Sequence, residues 1–570
     1  MTAYSKVIIL DGYTDEPAGF GVPPYIDTLP RYIAGAIWSV DKTIKIRYYV
    51  VDEVRRDPQK FIREANETDL VILIAGAVVP GRYIGGTPIT FREIESWFSL
   101  IEKPVKILVG AAARWGFGNR GGSIATLPTK LRALFTEIVK GDPEEYVYNL
   151  VKDGIERASP YSLIEDMKLV SKFAVKGASI VLQHPNYGYN LVAEIETYRG
   201  CPRWITGGCS FCVTPLYGKP RQREAKDIVR EVEALYKLGV RHFRIGRQAD
   251  ILVYGSKELG LEEWPRPEPP AIEKLFHGIR TVAPSLKTLH IDNVNPGTIA
   301  RHPNESIEVL KIIIKYHTPG DVAALGIESV DPNVVDKNNL KVYYDDAVKA
   351  VELINKVGRE RGYNGLPELL PGINFVLGLI GETRDTYMAN KRFLEEIYNR
   401  NLLVRRINVR EVLVLPYTRM SRVGLSFLKR NKHYVSAFKR IALDYSLKFL
   451  KRIVPPGSIL KYLYVEYYDR RLGVTFARQA GSYPIIVELP CRLDPPTLID
   501  VVVYGYSARS LRGLPIPLDA NRTPLTMLAK IIGTKALIIA RNRPFKSNSE
   551  LYKIVPEAKG LLSIRGYSCV

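Results

Sequence analysis

From position 194 the chain reads Glu194-Ile-Glu-Thr-Tyr-Arg-Gly-Cys201-Pro-Arg-Trp-Ile-Thr-Gly-Gly-Cys209-Ser-Phe-Cys212. Three of the five cysteines fall within twelve residues of this stretch. Scattered core cysteines do not cluster this way. Five cysteines in 570 residues are also too few, and odd in number, for a disulfide-built scaffold. The stretch opens on an apolar run expected to form a strand over 193–198, so the cysteines sit on the loop that follows it. Three thiolates on one loop can hold three irons of a [4Fe–4S] cube. The fourth iron is then open to a ligand, because Cys491 and Cys569 lie in other segments. Gly207-Gly208 permits the tight wrap that brings Cys209 and Cys212 onto one cluster. The competing use of such thiols is a structural zinc site. It closes with four ligands, and the nearest histidine, His184, precedes the strand.

Outward from this loop, residues 190–415 repeat strand then helix six times. Strands are expected over 193–198, 242–246, 288–292, 322–326, 372–378 and 406–413. The first helix carries Ile228, Val232 and Leu235 on one stripe, and similar stripes follow over 307–316, 347–357 and 386–397. Six consecutive units predict a partial (β/α)6 barrel, in which chemistry collects at the carboxyl ends of the strands. Residues 1–180 alternate buried strands (6–10, 46–51, 70–75, 106–109) with amphipathic helices (57–65, 91–102), the pattern of an open parallel sheet. The carboxyl ends of those strands carry Asp11-Gly12-Tyr13-Thr14, Gly76 and Gly110. A glycine-rich loop over 114–123 has no Walker or GxGxxG pattern, so no nucleotide phosphate site is indicated there. Residues 416–470 read as a basic helical segment, 471–515 as a small β module, and 516–570 as a helical module. The fold class is therefore α/β throughout the first two thirds, with small C-terminal β and helical modules.

With these residues in place, the segment resembles the radical S-adenosylmethionine (SAM) superfamily. The usual CxxxCxxC spacing is here C-x7-C-x2-C, with Phe211 before the last cysteine. Gly326-Ile327-Glu328-Ser329 is similar to the family segment whose glutamate contacts SAM. Asn338-Asn339-Leu340 follows, as in methylthiotransferase-like members. The stretch 374–383 resembles the "GLPGET" segment near the adenine, which nominates Gly378 and Gly381. The family's Gly-Gly-Glu motif is replaced by 244–250, so Arg247, Gln248 and Asp250 compete for its place. The resemblance implies that Cys201, Cys209 and Cys212 hold a [4Fe–4S] cluster and that Phe211, Glu328, Gly378 and Gly381 lie near SAM. It implies reductive cleavage of SAM to a 5′-deoxyadenosyl radical that abstracts a hydrogen atom, with an electron donor such as ferredoxin or flavodoxin.

The flanks resemble known companions of such barrels. The layout of 1–180 is like the cobalamin-binding fold, but all seven histidines lie elsewhere, so the DxHxxG cobalt-ligand pattern is missing and cobalamin stays open as a third cofactor. The same region has no cysteine, so the second cluster of methylthiotransferases has no ligands there. Residues 481–513 resemble a TRAM domain, a small RNA-gripping β-barrel. Residues 516–560 resemble helix-hairpin-helix modules, with one hairpin glycine where two are usual.

Net charge is +21, and residues 401–480 carry 17 Lys or Arg against 4 acids. Such a block is the footprint expected of a polyanion binder. The bland reading is a solvated face on a protein from a hot habitat, since Lys, Arg and Tyr are plentiful while Cys, Met and His are scarce. Charge and resemblance together predict an enzyme that modifies RNA, with Arg405, Arg406, Lys429, Arg430 and Lys439 as phosphate contacts. The alternatives are a radical SAM enzyme acting on a protein side chain, metabolite or lipid, and a non-enzymatic nucleic-acid-binding Fe–S protein. No window approaches 18 consecutive apolar residues and the start lacks a secretory pattern, so no membrane span and a cytoplasmic location are expected.

Overall fold

Near the N-terminus, short runs of β-branched and leucine residues bounded by polar turns form buried strands. In the computed structural model, which describes residues 4–16, 19–76, 85–118 and 121–569, Lys6–Asp11, Lys45–Val50, Leu70–Ile74, Val105–Val109 and Glu137–Ile138 make one parallel sheet. With these strands numbered 1 to 5 along the chain, the order is 2-1-3-4-5, that of flavodoxin-like open sheets. Of the glycine-rich loop over 114–123, residues 119 and 120 lie outside the described residues.

The six expected barrel strands form in sequence order and all run parallel. Val192–Ile195, His242–Ile245 and Thr288–Ile291 pair side by side. The chain kinks at Asp292 and resumes as Asn293–Val294, which pairs with Asp321–Glu328, then Leu369–Leu377 and Arg406–Glu411. The sheet therefore turns its corner within the third strand. A further strand comes from outside the repeat. Tyr25–Ile26, in the N-terminal region, pairs parallel with Val192–Ile195 on the open edge of the barrel. One continuous apolar core joins the N-terminal sheet to the barrel, from Val7 to Phe449.

The C-terminal region departs from the expected boundary. The basic helix Lys432–Ile453 ends before Pro455-Pro456-Gly457, and Ile459–Asp469 is a strand within residues read as helical. A bulge between Leu460 and Leu463 breaks its register. Its alternation of buried and exposed side chains is therefore interrupted, which hides the period of two that marks a strand. This strand opens a closed five-stranded barrel with Val474–Gln479, Ile486–Leu489, Leu511–Ile516 and Leu498–Tyr506. Short helices follow at Leu525–Ile532, Ala536–Asn542 and Asn548–Ile554. Leu518–Asp519 then pairs with Leu562–Ser563, which brings the end of the chain back onto the barrel. There Cys569 forms a disulfide with Cys491, a pairing the sequence reading did not anticipate. Among the described residues no helix is long and apolar enough to cross a membrane.

Candidate active site

The cysteine loop is a wrapped structure at the carboxyl end of the first barrel strand. After Cys201 the residues Pro202–Thr206 form a 3-10 turn. Gly207 and Gly208 both take left-handed φ values, 76° and 62°, which side-chain-bearing residues rarely adopt. The longer first gap is thus one turn of helix plus a reversal. Two asparagines hold it down. Asn339, itself left-handed, donates to the carbonyl oxygens of Thr206 and Gly208. Asn338 accepts from the Ser210 hydroxyl at 2.6 Å and from the Ile380 backbone N–H at 3.2 Å, and donates to the Val334 and Ile380 carbonyls at 2.8 Å. Arg419 donates to Gly208 and Asn338.

Cys209 is buried, and Cys201 and Cys212 are half-buried. Burial, then its neighbour Cys212, push the Cys201 thiol up to about 12. Burial, then Cys209, also raise Cys212. Cations face these sulfurs. Arg203 donates to Cys209 Sγ at 3.4 Å while bridging to Glu263 and Asn339. The Lys341 ammonium acts on Cys209 and Cys212 together. Thiols that repel one another and face fixed cations suit a ligand that takes them as thiolates. Among the described residues no group of three His, Cys, Asp or Glu side chains converges tightly enough for one metal ion. Three thiols on one loop, with no histidine or fourth thiol beside them among the described residues, are the donor set that an iron–sulfur cluster with one open iron takes.

Glu328 ends the fourth barrel strand at a bulge, with a left-handed φ of 67°. Its Oε1 lies 3.4 Å from Lys341 Nζ, which also donates to the Gly326 carbonyl at 2.9 Å. Burial raises the Glu328 carboxyl, with Lys341 opposing. Of the three candidates in the second loop, Asp250 reaches the cavity, held by Leu252 N, Asn295 N and Thr298 Oγ1. Burial pushes it up to about 7. Arg247 turns back to Thr28 and Asp27, and Gln248 to Thr197 and Ile245. Phe211 packs with Cys209, Leu340 and Val412 and lines the cavity. Gly378 and Gly381 are not among its lining residues. Gly378 is folded around the Glu382 carboxylate, which accepts from Gly378 N and Leu379 N, and Gly381 packs on Lys337 and Asn333.

The cavity holds about 1020 Å³. The cysteine loop and Glu328 form one part of its wall, and Asp15, Phe20 and Tyr25 of the N-terminal region form another. The loop of the small barrel supplies Tyr483 to Ile486. Tyr483 donates to Asp292 at 2.6 Å and Ser482 N to His290 Nδ1 at 2.8 Å, so this loop is seated in the lumen. The basic block divides here. Arg405 and Arg406 were expected on an RNA-binding surface but line the cavity: Arg406 opens a barrel strand and lies over the Tyr483 ring, and Arg405, just before that strand, donates to the Tyr483 carbonyl. Lys439 also lines it and pairs with Glu411, whereas Lys429 and Arg430 are exposed on a short helix outside it. The polar alternation Arg406, Asn408, Arg410 was visible in the sequence and was passed over. Arg203 and Lys341 carried no local signal.

Comparison with known proteins agrees with this arrangement. The radical SAM superfamily matches over residues 195–394. An uncharacterised protein of Methanocaldococcus jannaschii is 43% identical over 513 residues, 89% of this chain and 93% of its own. The ribosomal protein uS12 methylthiotransferase RimO of Thermoanaerobacter sp. is 24% identical over 338 residues, 59% of this chain and 65% of its own. The solved structure of the radical SAM methyltransferase TsrM from Kitasatospora setae, with cobalamin and a [4Fe–4S] cluster bound, has a TM-score of 0.48. It is 14% identical, covering 73% of this chain and 77% of that one. On the cysteine loop, the six parallel strands and the superfamily match across them, the chain belongs to the radical SAM superfamily, whose cofactors are a [4Fe–4S] cluster and SAM.

Proposed function

We propose that this enzyme modifies RNA, receiving one nucleotide in the cavity beneath its cysteine loop. In this reading Cys201, Cys209 and Cys212 hold the cluster, and Glu328, with Phe211 beside it, faces SAM. The observation that carries the chemistry is the meeting of three thiols, Lys341 and Glu328 on one wall of one cavity. Bound together, cluster and SAM supply a carbon radical able to take a hydrogen atom from an unactivated C–H bond. The chain's own residues fix that event in place. Arg203 and Lys341 balance the thiolates, Asn338 and Asn339 hold the loop, and the loop of the small barrel narrows access by water. A donor such as ferredoxin or flavodoxin supplies the electron. The reading admits cobalamin as a third cofactor at the N-terminal sheet, whose carboxyl edge borders the cavity through Asp15 and Phe20.

Two observations favour RNA. The first is the net charge of +21. The second is an aromatic shelf beside the cysteine loop. Arg114 lies over the rings of Trp115 and Tyr217 at 4.8 and 4.3 Å, Tyr417 meets Trp115, and Tyr417 is 73% exposed. Trp115 is buried beneath, so the exposed Tyr417 ring is the face on which a base can stack, at roughly 1–3 kcal/mol. A small anionic metabolite is the second reading, favoured by Arg405 and Arg406 facing the lumen rather than solvent. Mass spectrometry of tRNA and rRNA from a deletion strain separates the two. RNA modification predicts one missing nucleoside modification, restored by the wild-type gene and not by the triple variant Cys201→Ala, Cys209→Ala, Cys212→Ala. An unchanged modification profile excludes RNA. The purified triple variant is expected to lose iron and SAM cleavage, against about four irons per chain in the reconstituted wild type. Wild-type iron content in that variant would remove the cysteine assignment.

A further inference from the structure

The inward face of the last barrel strand is charged in a way that the cluster and SAM do not account for. Along Arg406–Glu411, alternation puts 406, 408 and 410 on one face; Arg406 meets Tyr483 in the lumen, while Ile407 and Val409 of the opposite face pack on the apolar core. Their register partners on the neighbouring strand are Gly372, Asn374 and Val376. A Cβ at Gly372 would stand 2.8 Å from Val322 Cγ1 and 3.1 Å from Arg406 Cγ, so this position is crowded from both neighbouring strands. The guanidinium of Arg406 lies 3.8 Å above the Tyr483 ring. Asn408 donates to Asn374 at 3.2 Å.

Four other cations of the lumen are matched. Arg244 pairs with Glu194 and Asp292, Lys341 with Glu328, Lys439 with Glu411, and Arg478 with Glu466. Among the described residues neither Arg406 nor Arg410 forms an ion pair within 4 Å; Asp292 acts on Arg406 and Glu328 on Arg410 only at longer range, and Arg410 Nε is buried without a hydrogen-bond acceptor. Arg478 Nη2, across the cavity, is likewise buried and unmet. Burial lowers Arg406, so solvent does not compensate its charge. Buried guanidinium groups without partners are costly unless a ligand completes them. A planar fork of donors matches a tetrahedral oxyanion better than it matches a neutral group.

We propose that Arg406, Asn408 and Arg410 form a phosphate-binding site that anchors the substrate on the wall formed by the last barrel strand. This deepens the reading above and rests on it, since the anchored group is that of the radical's target. The anchor holds one end of the substrate so that a C–H bond away from the phosphate meets the radical. The phosphate has two sources, a nucleotide within an RNA or a free phosphorylated metabolite.

The test uses the full-length, anaerobically reconstituted enzyme and measures binding of inorganic pyrophosphate by titration calorimetry, with SAM affinity and iron content read in parallel. Arg406→Gln and Arg410→Gln should each weaken pyrophosphate binding about tenfold or more, as expected for lost charge-assisted bonds. Arg410→Lys should be intermediate, because it keeps charge and loses the fork. Glu328→Ala should weaken SAM without weakening pyrophosphate, since it removes a carboxylate that competes for Arg410, and this shows that two sites are being read. Displacement of pyrophosphate by a short RNA assigns the phosphate to a nucleotide, and displacement only by phosphorylated small molecules assigns it to a metabolite; either supports the site. Equal pyrophosphate binding by wild type and both Gln variants overturns the proposal. So does joint loss of pyrophosphate, SAM and iron in those variants, which marks them as structural residues. A wild-type enzyme that binds pyrophosphate but holds no iron defeats the radical reading instead, and the two failures are thereby told apart.

Discussion

Glu328 combines a left-handed backbone, a bulge and a buried carboxylate facing a single ammonium. A glutamate in that conformation costs on the order of 1–3 kcal/mol unless its surroundings impose it. The position trades stability for the placement of a charge. Glu328→Ala is expected to weaken SAM binding by roughly 1–3 kcal/mol, the loss of a charge-assisted hydrogen bond. Glu328→Gly should weaken SAM similarly while raising the melting temperature above that of Glu328→Ala, because glycine relieves the φ of 67°. Equilibrium SAM binding and thermal denaturation check both; unchanged affinity in either variant counts against the assignment. At this scale the sequence was readable where residues repeat a known spacing. Cys201, Cys209, Cys212 and Glu328 could be located from their neighbours alone. Arg203 and Lys341 could not. Lys341 acts through space on a loop distant in sequence, Arg203 sits within the loop but matches no motif position, and a lone cation carries no pattern.

The elements that set the cysteine loop are as instructive as the loop. Asn338 links it to the turn at 378–382, accepting from Ser210 of the loop and making two hydrogen bonds to Ile380 of the turn. That turn is built around Glu382, which also accepts from Tyr387 at 2.5 Å. The motif over 338–340, read in sequence as a methylthiotransferase-like feature, and that over 374–383, read as lying near the adenine, are thus joined to each other and brace the cysteines from behind. Asn338→Ala leaves the Ser210 hydroxyl and the carbonyls of Val334 and Ile380 without this partner. The expected cost is about 1–3 kcal/mol per unmet buried group, with lowered iron occupancy after reconstitution. Asn338→Asp should recover the two bonds it accepts, from Ser210 and from the Ile380 N–H, lose the two it donates, and fall between. Normal iron content in the alanine variant would show that the brace is dispensable. Barrel strands and helices were legible because their apolar periods are long and regular. Ile459–Asp469 escaped because its bulge interrupts the alternation, and Tyr25–Ile26 because two residues make no period at all.

Across the whole molecule, the small C-terminal barrel is joined to the radical SAM barrel by a polar seam. His242 lies within it, its Nδ1 2.8 Å from Thr288 Oγ1 and its Nε2 3.0 Å from Tyr464 Oη. Burial, reinforced by Lys287, His290 and Arg241, pulls its pKa down to about 3. A depressed folded-state pKa contributes stability that is complete above the unfolded value, near 6.5, and is lost as pH falls toward 3. The melting temperature should therefore fall on acidification across that window. His242→Gln keeps a polar side chain without the titration and should flatten the slope. His184, also drawn down to about 3 by burial, supplies a second contribution that survives in the variant. An identical pH profile in His242→Gln would remove the seam from the explanation.

Tyr25–Ile26 pairs with the first barrel strand, and Val192 N donates to Pro24 O at 2.9 Å. The barrel is therefore finished by a strand encoded some 165 residues upstream of its own first strand. A fragment limited to 190–415 would expose Val192–Ile195 as a bare edge of unpaired amides, flanked by apolar surface stripped from the shared core. Such edges recruit other chains. The fragment a cloner would cut from the superfamily match is thus the one most prone to aggregate, and the smallest workable unit begins before residue 25.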